Sequence, residues 1–351
     1  MQPALRTESA LHHASVIAHR VLFAISAQER ADFFPGGSPE FADTEIRWCP
    51  NGPLTPDGWF ALLDEFRPTV IISCWSTPPI SPAFLGENSS LRYVCHLVGS
   101  ARHLVPRSFL ERGGLLTNWG SIASDTVAEH ALLLALATLR NQSRWSSAIA
   151  TRPVPWRNAT ARLDTRTLIG RRIGIHGFGL VARNLVRILR PFGTDIAAFS
   201  HGVPDSIMTE AGVTPSKSLA DLAARSEVFF CCEALNTFTR GSIDADIIAA
   251  LPDHAVFINV GRGALVDEPA LLAEATSGRI HIALDVVSHE PLLPDSPASQ
   301  VRGAILSPHI AGPTYDRFPE CGHLALSNLS RFIRGEPLSA LLTPELYDRS
   351  T

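Results

Sequence analysis

Between Arg172 and His201 the sequence runs from an apolar strand, Arg172–His176, into the turn Gly177-Phe178-Gly179-Leu180-Val181-Ala182. An amphipathic helix over Arg183–Phe192 and a second apolar run, Asp195–Phe199, follow. Few folds accommodate that order. In a parallel βαβ unit Gly177 permits the tight turn, Gly179 lets backbone approach a pyrophosphate, and small Ala182 lets helix and strand pack closely. Helix N–H groups then face the phosphates. An isolated GxGxxA match is often an ordinary tight turn; the strand before and the helix after set this one apart. The turn predicts a dinucleotide-binding domain, with residues 177–181 along the cofactor.

Alternation of short apolar runs with helical stretches extends this reading to both sides. Val21–Ser26, Glu45–Cys49, Val70–Trp75, Arg92–Leu97 and Leu115–Trp119 are predicted strands ahead of the turn. After it come Val228–Cys232, Val256–Val260, Ile282–Asp285 and Ala304–Leu306. Strands joined by crossover helices imply parallel sheets. A helix over Thr55–Phe66 opens on a threonine able to cap it, and a long apolar helix over Ala123–Arg140 opens at Ser124 or Asp125. The polar stretch from Asn141 to Arg166 is predicted to cross between domains, and a last helix over Phe318–Ile333 to return to the first. The expected architecture is α/β, with two doubly wound parallel-sheet domains. Residues 20–120 and 314–351 form a flavodoxin-like substrate domain, 121–313 a Rossmann dinucleotide-binding domain, and 1–19 a leader.

Composition narrows the partners. A chain of 351 residues with 45% hydrophobic and 18% charged residues has enough apolar surface for two cores. The net charge of −4 comes without any Lys/Arg block, which argues against nucleic acid and against an anionic membrane. Cys49, Cys74, Cys95, Cys231, Cys232 and Cys321 are scattered with no CxxC pair and are expected to be reduced core thiols of a cytoplasmic protein, with no metal site. His12, His13 and His19 interrupt the first residues, which do not read as a signal peptide or an anchor.

Hydride transfer to a keto acid requires a cation for the carboxylate, a proton donor for the developing alkoxide, and a partner that keeps the donor charged. Three strand ends offer these types. Asn259-Val260-Gly261-Arg262-Gly263 sets an arginine between glycines, an unpacked place for a guanidinium to fork onto a carboxylate. Asp285 ends the next strand and leads to His289-Glu290-Pro291, and Ser307-Pro308-His309 ends the third. Singly, Glu290 and His309 would read as solvated loop residues and Arg262 as a surface arginine. Together, at the carboxyl ends of parallel strands beside a nucleotide turn, they point to chemistry.

With these segments in order, the sequence resembles the D-isomer-specific 2-hydroxyacid dehydrogenase family from about Arg20 to Leu342. The most specific pieces are Thr126–Leu132, Gly177–Ala182, Asn259–Asp267, Leu284–Pro291 and Pro308–Gly312. The resemblance implies that Arg262 binds substrate carboxylate and carbonyl, that His309 is the acid/base, and that Glu290 hydrogen-bonds His309 and favours its charged form. It implies that Asp285 lies near the nicotinamide carboxamide, that Cys232 lines the cofactor, and that Val98, Gly99 and Ser100 offer backbone N–H groups to the substrate. It also implies a homodimer packed through the nucleotide domain, near the Ala123–Arg140 helix.

Departures from the family pattern leave some questions open. Where a dinucleotide fold usually ends its second strand with a ribose-binding acid, this chain has Ser200-His201, so the cofactor reads as NAD or NADP. Gly99-Ser100-Ala101-Arg102-His103 replaces the usual glycine-rich loop, and Arg102 points either at an acidic substrate or at water. Cys231-Cys232-Glu233-Ala234 stands in place of a His-x-Pro stretch. The leading function is a nicotinamide-dependent dehydrogenase or reductase of a small 2-hydroxy or 2-keto acid. Formate is disfavoured, since that branch carries glutamine at Glu290. The alternatives are phosphite-type oxidation and a dinucleotide-sensing, corepressor-like binding protein without turnover.

Overall fold

The computed structural model describes residues 18–37, 39–49, 55–86, 89–150 and 163–349. The expected leader therefore falls outside the described residues, apart from its last two positions. Two parallel sheets organise the chain. The first contains β1 (His19–Ala24), β2 (Thr44–Trp48), β3 (Val70–Ser73), β4 (Tyr93–His96) and β5 (Leu115–Thr117), in the order β2-β1-β3-β4-β5. The second contains β6 (Arg172–His176), β7 (Asp195–Phe199), β8 (Thr214–Pro215), β9 (Val228–Cys231), β10 (Val256–Asn259), β11 (His281–Leu284) and β12 (Ile305–Leu306). Its order is β12-β11-β10-β9-β6-β7-β8. These are the flavodoxin-like and Rossmann orders, so the two doubly wound sheets read from the sequence are present. The two-residue β8 has no apolar run behind it and was not anticipated.

Both sheets are covered on both faces, which explains the uninterrupted burial of β3, β4, β9 and β10. Side chains alternate between two cores. Ile173, Ile175, Val256 and Ile258 enter one core of the second sheet. Phe229 and Phe257 enter the opposite one and stack at 5.4 Å. In the first sheet, Leu22 and Ala24 face one core and Val21 and Phe23 the other.

Local sequence sets several helix starts. Thr55 caps Pro56–Phe66 by accepting from the Gly58 N–H, and Trp59, Leu63 and Phe66 are buried as their spacing requires. The long apolar helix spans Ile122–Leu139 and has no side-chain cap; Ser124 Oγ instead donates to the Ser121 carbonyl at 2.6 Å. Neither Ser124 nor Asp125 is the cap, because the preceding 118–121 turn already starts the helix one residue earlier than the apolar pattern. The stretch after it is not a domain crossing at its described ends. The Arg166 N–H returns to the Leu139 carbonyl at 2.7 Å, and Ser143 Oγ donates to the Gly303 carbonyl at 3.4 Å, so both described ends of the stretch lie on the second domain. Passage between domains occurs at 118–121 and again at 312–318.

The Phe318–Ile333 helix brings the chain back to the first sheet, where Cys321, Ala325 and Leu329 share a core with Val21 and Phe23. Leu342 N–H then donates to the Leu116 carbonyl at 2.8 Å, and Tyr347 Oη donates to the Val105 carbonyl at 2.6 Å. Contact is closest at Gly322, where an added Cβ would lie 1.9 Å from the Phe33 carbonyl oxygen. Alanine gains about 1 kcal/mol in helix propensity over glycine. The clash is with backbone and cannot be relieved by a rotamer change, so it dominates. Gly322→Ala is expected to lower stability by about 1–3 kcal/mol in denaturant unfolding. Unchanged or increased stability would show that this helix is not held at that depth.

Candidate active site

Parallel pairing places six strand ends of the second sheet in one row. Phe199, His176, Cys231, Asn259, Leu284 and Leu306 are successive register partners across β7, β6, β9, β10, β11 and β12. Every candidate residue of this domain follows that row within a few positions, including Ser200, Gly177, Cys232, Arg262, Asp285, Glu290 and His309. The sheet itself thus gathers groups more than a hundred residues apart at one edge.

At the β6 end Gly177 has φ +90°, and an added Cβ would lie 2.5 Å from the Glu233 Cα. Glycine is needed there both for the turn and for the close approach of the segment after β9. Gly179 has open space where a Cβ would project, and the Leu180–Leu189 helix that it begins has no side-chain cap. Its first N–H groups thus meet no capping side chain, an arrangement that fits a dinucleotide pyrophosphate. Among the neighbouring candidates, Phe178 is buried in the core, so only its backbone faces the turn, while Leu180 is exposed. Cys232 donates its N–H to the His176 carbonyl at 2.8 Å. Beyond β7, the Ser200 hydroxyl donates to Glu233 Oε2 at 3.1 Å, and the exposed His201 ring stacks near Phe238 at 6.2 Å.

The chemistry-bearing residues lie at the other end of the row. His309 Nδ1 is 2.8 Å from Glu290 Oε2, and both side chains are partly open to solvent. A cavity of about 390 Å³ opens beside this pair, against Leu284, Val287, Leu292 and Leu306. His309 sits at φ +56°, a left-handed backbone that few non-glycine residues adopt. Asp285 holds it there. Its Oδ1 accepts from Ser307 Oγ at 2.6 Å and from Ile310 N–H at 3.0 Å, and its Oδ2 accepts from Ala311 N–H at 3.1 Å. His130, within the Thr126–Leu132 motif, completes the cluster with Nε2 2.9 Å from Ser307 Oγ. Burial pushes the Asp285 carboxyl up, but hydrogen bonds from His130, Ser307, Ile310 and Ala311 outweigh it and hold the group below its ordinary value.

Arg262 does not occupy an unpacked turn. Gly261 and Gly263 are buried, and a Cβ on Gly263 would lie 2.0 Å from Val287 backbone atoms. The glycines let the arginine turn press onto the segment leading to Glu290, while Asn259 ties the turn by accepting from Gly261 N–H and donating to the Arg262 carbonyl. Burial pushes the Arg262 guanidinium down from its ordinary value, and the charges of Glu290 and Asp285 act in the opposite sense.

From the first domain, the loop after β4 carries Val98, Gly99 and Ser100; Val98 is buried and the other two are partly open. Arg102 is exposed, as one of its two expected orientations has it. It donates to the Tyr347 carbonyl at 3.1 Å and to the Asp348 carbonyl, bracing the C-terminal helix. Burial, with His103 nearby, pushes His96 down to about 3, so this strand-end histidine is neutral near neutrality. Trp119 was missed from the sequence. Its indole lies 2.8 Å from where a Gly99 Cβ would be and 3.3 Å from that of Gly312, so it touches both the first-domain loop and the turn after His309. The six cysteines are free, and among the described residues no three His, Cys, Asp or Glu side chains gather as a metal site.

Residues 132–311 match the family model for the NAD binding domain of D-isomer specific 2-hydroxyacid dehydrogenases. The chain belongs to that family. It is similar to hydroxyphenylpyruvate reductase of Plectranthus scutellarioides, 31% identical over 67% of this chain and 72% of that protein. It is 27% identical to human glyoxylate reductase/hydroxypyruvate reductase, over 72% and 77% of the two chains. Its fold superposes on Rhodotorula graminis D-mandelate dehydrogenase with a TM-score of 0.77 at 22% identity, covering 92% of this chain and 97% of that one.

Within this family member, the four bonds at Asp285 predict a specific sensitivity. An asparagine there turns an amide donor toward N–H groups that need an acceptor. Asp285→Asn is expected to cost about 1–3 kcal/mol of stability and to lower kcat roughly ten- to a hundredfold through displacement of His309. Since the folded-state carboxyl is held below its ordinary value of 3.8, its contribution is complete above that pH and is lost as pH falls through the folded value. The Asp285→Asn stability deficit should therefore shrink in acid. A deficit that is the same at pH 3 and pH 7, or a kcat within twofold of wild type, would contradict this role.

Proposed function

We propose that the protein is a nicotinamide-dependent reductase of small 2-keto acids, with His309 as proton donor, Glu290 as its orienting partner and Arg262 as the carboxylate anchor. The observation that carries this reading is the 2.8 Å His309–Glu290 contact on strand ends in register with the arginine turn and the glycine turn. Relatives named for reduction of hydroxyphenylpyruvate, glyoxylate and hydroxypyruvate support it.

When bound, the reduced nicotinamide supplies a hydride to the substrate carbonyl carbon. The protein's residues do the rest. His309 donates its Nδ1–H to Glu290, which fixes the ring and leaves Nε2 to carry the transferable proton. The imidazolium form of His309 is the one that protonates the developing alkoxide. Proton transfer from Nε2 leaves neutral His309 and a neutral hydroxyl group. Oxidation of the hydroxy acid needs the neutral ring and runs the same steps in reverse. The Arg262 fork binds the substrate carboxylate, and backbone N–H groups of Val98, Gly99 and Ser100 receive its other side. Asp285, beyond any contact with the carboxamide, positions the His309 turn. Ser200 lies at the adenosine ribose.

We read the assembly as a cytoplasmic homodimer packed around the Ile122–Leu139 helix, whose apolar surface leaves Leu133 exposed. Size-exclusion with light scattering checks the dimer.

The test of function is NADH and NADPH oxidation with glyoxylate, hydroxypyruvate, pyruvate and bulkier 2-keto acids. Turnover of at least one acid is expected. His309→Ala should lose on the order of a hundredfold or more in kcat, as expected for removal of a general acid, while still binding cofactor. Tight cofactor binding with no keto acid reduced would leave a sensor rather than an enzyme.

A further inference from the structure

The end of β7 lacks the acid that usually receives the adenosine ribose, yet a carboxylate stands at that place. Glu233 follows β9, on the far side of β6, and reaches across the glycine turn to accept the Ser200 hydroxyl at 3.1 Å. Three features fix it there. Gly177 has no Cβ, and only this lets the Glu233 backbone lie against the turn, with Glu233 Cα 2.5 Å and Glu233 N 2.6 Å from the position of an added Cβ. Glu233 Oε1 is held by the Ala234 N–H at 2.9 Å, leaving Oε2 turned toward Ser200. The strand order puts β9 next to β6, so the reach from its end to β7 spans a single strand.

We propose that Glu233 is a specificity-determining residue that substitutes, from a different strand, for the missing ribose-binding acid and selects the nucleotide with a free 2′-hydroxyl, NADH, over NADPH. A carboxylate oxygen accepts more than one hydrogen bond, so Oε2 can keep Ser200 and receive a ribose hydroxyl. A 2′-phosphate at the same spot places two like charges within a few ångströms and removes the donor that the carboxylate needs. His201, exposed next to Ser200, has its ring 6.2 Å from that of Phe238. Ser200 alone would hold either nucleotide; the Ser200–Glu233 pair does not.

This inference rests on the nicotinamide-dependent reading of the site and is separable from its catalytic part by equilibrium binding. NADH and NADPH are titrated by nucleotide fluorescence into wild type, Glu233→Gln, Glu233→Ala and Glu233→Asp. Wild type is expected to bind NADH roughly a hundredfold or more tightly than NADPH, the scale of a like-charge contact in a partly buried site. The Gln and Ala variants should narrow that ratio at least tenfold, chiefly by tightening NADPH, and Asp should keep most of it. Equal affinities in wild type would overturn the proposal, as would an unchanged ratio in the neutral variants that bind NADH. NADH selectivity without any keto acid turned over would overturn the catalytic reading and support this one, whereas failure of wild type to bind either nucleotide would overturn both.

Discussion

The arrangement depends on the register of parallel strands in the second sheet. Because neighbouring strands pair without slippage from β7 to β12, six strands end at one level, and the polypeptide emerges six times along one edge. A one-residue slip would turn each strand's side chains to the opposite face, exchanging Phe257 for Ile258 between two filled cores. Packing on both faces therefore fixes the register, and the register fixes where Arg262, Asp285 and His309 begin.

Position along the edge is then refined by close backbone approaches and by carboxylates that accept backbone N–H groups. Gly263 lets the arginine turn meet the Val287–Ser288 backbone, and the Ser288 N–H is taken by Glu268 Oε2 at 2.6 Å, which steadies the segment carrying Glu290. Asp285 gathers the 307–311 turn around its two oxygens and balances the unfavourable φ of His309. The His309 turn is thus held by a buried charge, and a buried carboxylate is tolerable only because donors surround it.

Trp119 joins this edge to the first domain. Its indole lies between Gly99, on the loop after β4, and Gly312, in the turn that follows His309. The first sheet is stable as a platform because the Phe318–Ile333 helix returns to it, so both passages between domains run close to the cleft they border.

Sequence alone was enough for the parallel sheets and the glycine turn, and it marks Arg262, Glu290 and His309 as candidates, because short continuous apolar runs and strand-end motifs are local and survive without coordinates. It also placed the Thr55 cap and the C-terminal helix, whose signals lie within a few residues. Tertiary structure alone decided the rest. Asp285 reads as one more strand-end acid until the turn wraps its oxygens. The glycines beside Arg262 read as slack until Val287 presses on them. Glu233 reads as a loop acid after an unremarkable strand, and only the β9-β6-β7 order carries it to Ser200. In each case the deciding contact joins residues distant along the chain, and residue types carry no record of which strand ends the sheet will set side by side.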